Sequence, residues 1–82
     1  MPRKTYYYWR GTVKYIGLDE GFYGIISKKN YDGTNFFDPI FMPLRFRHDG
    51  LHIWFIVLLV PNLYSIHMWG ETVFIIKIIR WI

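Results

Sequence analysis

The residues able to do covalent chemistry in this 82-residue chain are few and scattered. Its serines are Ser27 and Ser65, and Ser65 and His67, two apart, share one side of an extended segment. A nucleophilic triad also needs an orienting carboxylate and an oxyanion hole, and no spacing marks either one. The six acidic residues lie in or beside turns, where Asp bends and caps the backbone. Asp38 and Asp49 are the carboxylates that folding could bring together for acid–base work, but no pattern links them. His48, Asp49 and His52 are close in sequence, and His67-Met68 could join them as copper-type ligands. In an extended strand, however, His67 and Met68 point to opposite faces, and the spacing matches no zinc pattern. Gly17, Gly21 and Gly24 precede neither a helix nor a Lys-Ser/Thr pair, so they fit hairpin turns better than a phosphate loop. There is no Cys, which excludes disulfides, thiolate metal sites and a thiol nucleophile. The expectation is a protein that is not an enzyme and carries no metal or cofactor.

Binding chemistry is better represented. Tyr6, Tyr8, Arg10 and Lys14 fall on one face of an extended segment. Tyr23, Lys28, Lys29 and Tyr31 surround the following hairpin, and Arg45 and Arg47 flank a short connector. Rings interleaved with cations suit a single-stranded nucleic acid, whose bases stack while its phosphates follow the positive charge. On this reading Tyr8 and Tyr23 stack, and Arg10, Lys14, Lys28, Lys29, Arg45 and Arg47 track phosphates, with Tyr31 alongside. Ten Lys and Arg against six Asp and Glu give a net charge of +4, which favours an anionic partner. The same charge also serves ordinary solubility, and many of the rings are needed to fill a core.

A second binding chemistry is apolar. The run Leu51–Val60 is hydrophobic on both faces apart from His52. Leu51, Ile53, Phe55, Val57 and Leu59 lie on one face, and Trp54, Ile56, Leu58 and Val60 on the other. One face fills the core. The other is covered by the aromatic N-terminal segment, by Leu63–Gly70, or by a second copy of the chain, since a bare patch of this kind marks an interface. Trp54, Ile56, Leu58 and Val60 are therefore candidate homodimer contacts.

Strands must position all of these residues. The chain lacks helical periodicity and offers β-branched and aromatic runs cut by Gly, Asp, Asn and Pro. Runs at Tyr7–Leu18, Phe22–Ser27, Asn35–Met42, Leu51–Val60 and Thr72–Trp81 read as five strands. Lys28–Thr34 reads as a polar loop with an Asp32-Gly33 turn, and Pro43–Arg47 as one helical turn. Pro39 marks the third run as an edge or broken strand. In the first run Trp9, Val13 and Tyr15 face inward, with Gly11 and Gly17 on the same side, where a bending strand wants no side chain. Three strands, a short connector and two more strands predict an all-β, five-stranded, OB-like closed barrel, with an SH3-like barrel as the runner-up. Residues 1–82 make one domain, with residues 1–6 as a tail. No apolar run reaches the ~20 residues of a membrane helix. The absence of Cys favours a reducing, cytoplasmic location.

The ordered segments Gly11-Thr12-Val13, Gly17-Leu18, Gly21-Phe22-Tyr23-Gly24-Ile25-Ile26, Asp38-Pro39, Leu44, Phe46, Asp49-Gly50-Leu51, Phe55 and Ser65-Ile66-His67-Met68-Trp69-Gly70 resemble a family of small bacterial and archaeal proteins of unknown function. The resemblance spans the chain from Gly11 onward and implies a small β-barrel, with no catalytic or ligand residues to carry over. Glu20 stands where the family has a glycine, and the lead Tyr6-Tyr7-Tyr8-Trp9 is peculiar to this chain.

Overall fold

The computed structural model describes residues 6–18, 20–31, 33–60 and 69–81, with Tyr31 and Thr34 described by backbone alone. The alternation of rings and β-branched residues with polar ones produces five strands: β1 (Tyr6–Ile16), β2 (Phe22–Tyr31), β3 (Thr34–Pro39), β4 (His52–Leu59) and β5 (Glu71–Arg80). One 3-10 turn, Leu44–Phe46, separates β3 from β4. The strands close in the order β1-β2-β3-β5-β4, all neighbours antiparallel except β3 and β5, which run parallel. The fold is therefore an all-β, OB-like closed barrel, and closure removes the sheet edges that would invite other strands.

Every strand contributes to the core. Val13, Ile25, Phe37, Ile53, Val57 and Val73 are fully buried, and Phe55 and Met42 nearly so. The Phe37 ring sits 5.7 Å from that of Phe55 and 5.1 Å from that of Tyr7. The rings bury the most area per residue, and aliphatic side chains fill the rest of the core.

Closure depends on β1, which pairs with both β2 and β4. Gly11 stands at the overlap, opposite Ser27 on one side and Ile53 on the other. A Cβ here would lie 2.7 Å from the Ile26 carbonyl oxygen and 3.0 Å from the Phe55 ring, so only glycine lets the strand bend over the core. The connector is tied to the same strand. Gly50 N–H donates to Val13 O at 2.7 Å, Val13 N–H to Leu51 O at 2.8 Å, and the Tyr15 N–H to Asp49 Oδ1 at 2.7 Å.

Several boundaries differ from the sequence reading. β2 continues to Tyr31, so Lys28 and Lys29 stand on a strand instead of in a loop. β3 ends at Pro39, short of Met42, because proline offers no N–H to the ladder. Gly17 follows the end of β1 and is exposed, so it is not an inward bend. Tyr15 has inward parity but lies at the barrel rim, 46% exposed, with its ring 5.2 Å from that of Tyr23. Tyr6 belongs to β1 instead of to a tail, and residues 1–5 lie outside the described residues. Among the described residues no helix is long and apolar enough to cross a membrane.

Candidate ligand-binding face

Barrel closure places β1 beside β4, and β4 beside β5, so three outward rows share one surface. Tyr8 stands opposite Ile56 and Arg10 opposite Trp54. Across the next ladder Ile56 faces Lys77 and Trp54 faces Ile79. Tyr6, Leu58 and Phe74 form the row above. Below, Trp81 N–H donates to His52 O at 2.9 Å and brings the last tryptophan onto the same face. The register slips between Ile56 and Val57, and this bulge turns both Ile76 and Lys77 outward.

Arg10 is the centre of the aromatic group. Its guanidinium lies 4.7 Å from the Trp81 ring centre, 5.6 Å from Trp54 and 5.8 Å from Trp9. Trp54 meets Trp81 at 6.4 Å and Trp9 at 6.1 Å, both steeply inclined. The Lys29 ammonium reaches the far side of the group, 5.6 Å from the Trp9 ring. A cation over an indole face is attracted by the ring quadrupole, so the group is held without an ion pair. Arg10 Nε is buried and has no hydrogen-bond partner among the described residues. Beside this stack a cleft of about 340 Å³ is lined by Tyr8, Trp9, Trp54, Phe55, Ile56, Lys77 and Ile79. Tyr8 is 65% exposed at its rim.

The residues singled out in the sequence separate into groups. Tyr8, Arg10 and Lys14 share the outward side of β1, as the alternation implies. Lys28 and Lys29 are exposed on β2. Tyr23 is half-buried against the core, with the parity of Ile25, and lines a separate cavity of about 270 Å³ with Phe22, Phe41 and Arg47. The Tyr31 side chain lies outside the description. Arg45 is exposed on the helical turn, away from the aromatic group. Arg47 braces the connector: its Nε–H donates to Met42 O at 2.7 Å and its guanidinium lies 5.3 Å from the Phe41 ring. Of the apolar set, Trp54 and Ile56 are exposed on the outer face, whereas Leu58 and Val60 are half-buried. Ser65, His67 and Met68 lie outside the described residues. Among the described residues no three of His, Asp and Glu gather into a metal site.

The sequence reading missed Phe74, Lys77, Ile79 and Trp81, which complete the face. It also missed the state of the opposite wall. OB barrels commonly bind ligands on the β2–β3 face. Here Trp69 lies on it, stacked 5.0 Å from Phe36 with 13° between planes and edge-on to Phe22 at 5.8 Å. Gly24 makes room, since a Cβ there would be 2.3 Å from the indole. The chain's own ring thus covers part of that face, and a larger group of exposed rings lies on β1, β4 and β5.

Comparison with protein-family models, curated proteins and solved structures finds no match for this chain. A reading of function therefore rests on the geometry.

Proposed function

We propose that the protein is a noncatalytic binding module that holds a single-stranded nucleic acid on the outer face of β1, β4 and β5. The observation that carries this is the cleft between Tyr8, Trp54 and Lys77, continuous through Arg10 with Trp81. It joins flat rings to cations, and no carboxylate lines it. Bases stack on exposed rings at ~1–3 kcal/mol each by alanine substitution, without needing a particular sequence. Phosphates follow Arg10 and Lys77, with Lys14, Lys28 and Lys29 beyond them.

The test is a fluorescence anisotropy titration of labelled mixed-sequence single-stranded DNA and RNA over a range of salt. Neutralising four phosphates gives a log–log salt slope of roughly −3. Binding at micromolar or tighter concentration with such a slope is expected, weakened when Tyr8→Ala or Lys77→Gln is introduced. Absence of binding at low salt sinks the reading.

A second reading uses the same face. Ile56, Phe74, Ile76 and Ile79 are 36%, 49%, 54% and 48% exposed, more apolar surface than a nucleic acid needs. Together with the half-open rings they amount to on the order of 700 Å², near the ~800 Å² that each partner gives a standard interface. A homodimer through Trp54 and Ile56 predicts a solution mass of twice 10.0 kDa that Ile56→Lys reduces to the monomer. Binding with a monomeric mass favours the nucleic-acid reading, and a dimer that ignores oligonucleotides favours this one.

A further inference from the structure

A polar concavity lies where β5 ends. It measures about 310 Å³ and is lined by Arg45, His48, Asp49, Gly50, Leu51 and Arg80. The helical turn supplies Arg45, the last residue of β5 supplies Arg80, and the turn before β4 supplies His48. No carboxylate among the described residues pairs with either guanidinium. The one acid in the lining, Asp49, accepts the Tyr15 N–H at 2.7 Å through Oδ1, and the two guanidinium charges outnumber its single negative charge. Gly50, at φ 87°, leaves its side of the wall open, with nothing within 4 Å of where a Cβ would stand. The Arg45 guanidinium, 5.9 Å from the Phe46 ring, the Arg80 guanidinium and the His48 imidazole surround one hollow, and neither arginine has an ion-pair partner among the described residues, a set of groups that suits an anion. The planar fork of arginine matches the oxygens of a phosphate group better than it matches a monatomic ion.

The hollow is continuous with the aromatic face. A neighbouring concavity of about 440 Å³ is lined by Gly50, Leu51, His52, Arg80 and Trp81. It shares Arg80 with the polar hollow and Trp81 with the Arg10 group. A path therefore runs from Tyr8 and Trp54, over Trp81, to Arg80 and Arg45, and it ends at the helical turn. A phosphomonoester carries ≈ −1.5 to −2 charge and three free oxygens, one more than an internal diester, and so offers both arginines a partner.

We propose that this hollow binds a phosphomonoester dianion, and that its source is the terminal phosphate of the strand whose bases lie on the aromatic face. The source rests on the proposed function; the pocket does not. The first arm is a titration with inorganic phosphate at constant ionic strength, read from the ring proton signals of His48 and His52. A saturable shift at His48 is expected in the millimolar range, weakened about tenfold or more by Arg45→Gln or Arg80→Gln, since each removes a charge-assisted contact. Both arginines are exposed, so the variants keep the fold. The second arm compares one oligonucleotide with a 5′-phosphate, a 3′-phosphate or neither. One phosphorylated end is expected to bind about tenfold tighter, with the gain lost in Arg80→Gln. No response of His48 to phosphate overturns the pocket, whatever the oligonucleotides do. A phosphate response without end preference supports the pocket and overturns the strand end as its source. A phosphate response with no oligonucleotide binding supports the pocket and overturns the nucleic-acid reading instead.

Discussion

Replacing Arg10 with methionine separates what this residue does for the barrel from what it does for a ligand. Three tryptophan rings face its guanidinium, at 4.7, 5.6 and 5.8 Å. A cation–π contact in a partly exposed setting contributes ~0.5–1 kcal/mol, and three contacts to one cation together contribute about 1–2 kcal/mol. Opposing this, Arg10 Nε is buried without a partner among the described residues. A buried donor left unpaired costs about 1–3 kcal/mol. Methionine removes both terms, retains the apolar stem, and returns ~0.3–1.5 kcal/mol through sulfur–ring contacts. These terms leave the variant between about 1 kcal/mol less stable and about 3 kcal/mol more stable, so for a domain of this size the melting temperature should fall by no more than ~8 °C. Binding responds differently. One phosphate contact is lost, so the salt slope should shrink by ~0.7. Affinity at low salt should fall about tenfold, since a hydrogen bond to a charged group contributes ~1.5–3 kcal/mol. Thermal unfolding followed by circular dichroism, with anisotropy titrations at four salt concentrations, reads both effects. A melting temperature lowered by more than about 15 °C refutes the balance of terms, because it means a loss near 2 kcal/mol or more. An unchanged salt slope refutes the place of Arg10 on the phosphate path.

Three glycines give further tests. Gly11→Ala pushes a methyl group against the Ile26 carbonyl and the Phe55 ring. Overpacking of this kind costs ~1–3 kcal/mol, offset by ~0.4–1 kcal/mol from the stiffer unfolded chain, so urea denaturation should show a net loss of about 1–2 kcal/mol. Gly24→Ala drives the Trp69 indole off Phe36. Its fluorescence should shift to the red and stability should fall by about 0.5–1.5 kcal/mol, the value of a ring pair, with oligonucleotide affinity unchanged. Gly50→Val forces a β-branched residue into φ 87°. The strain costs ~1–3 kcal/mol by denaturant titration and loosens the turn that carries His48.

The barrel was largely legible in the sequence. Gly, Pro and Asp-Gly signals divide the chain into strand-length runs, and the alternation around Val13 and through Ile53, Phe55 and Val57 assigns inward positions correctly. Rims were less legible, because parity says nothing about where a barrel ends; Tyr15 is inward by count and exposed in fact. The candidate face was only half legible. Tyr8 and Arg10 entered as one binding chemistry and Trp54 and Ile56 as another, and the β1–β4 ladder makes them one surface. That pairing joins residues more than forty positions apart, which no local pattern encodes. On β5 the bulge turns Ile76 and Lys77 outward together, so strict alternation fails where the face is built. A lysine inside an isoleucine run was the one available signal. Trp69 was unreadable for a related reason: its place depends on the absent side chain of Gly24, on a distant strand.

The most direct test uses the four tryptophans as reporters. Indole N–H signals of the 15N-labelled protein, assigned by substitution, are followed while a mixed-sequence single-stranded oligonucleotide is added at low salt. The signals of Trp54 and Trp81, which border Arg10 on the open face, are expected to move saturably. That of Trp69, held on Phe36 across the barrel, should stay in place. Movement of Trp69 in their stead would put the ligand on the β2–β3 face, and a spectrum with no change would contradict nucleic-acid binding altogether.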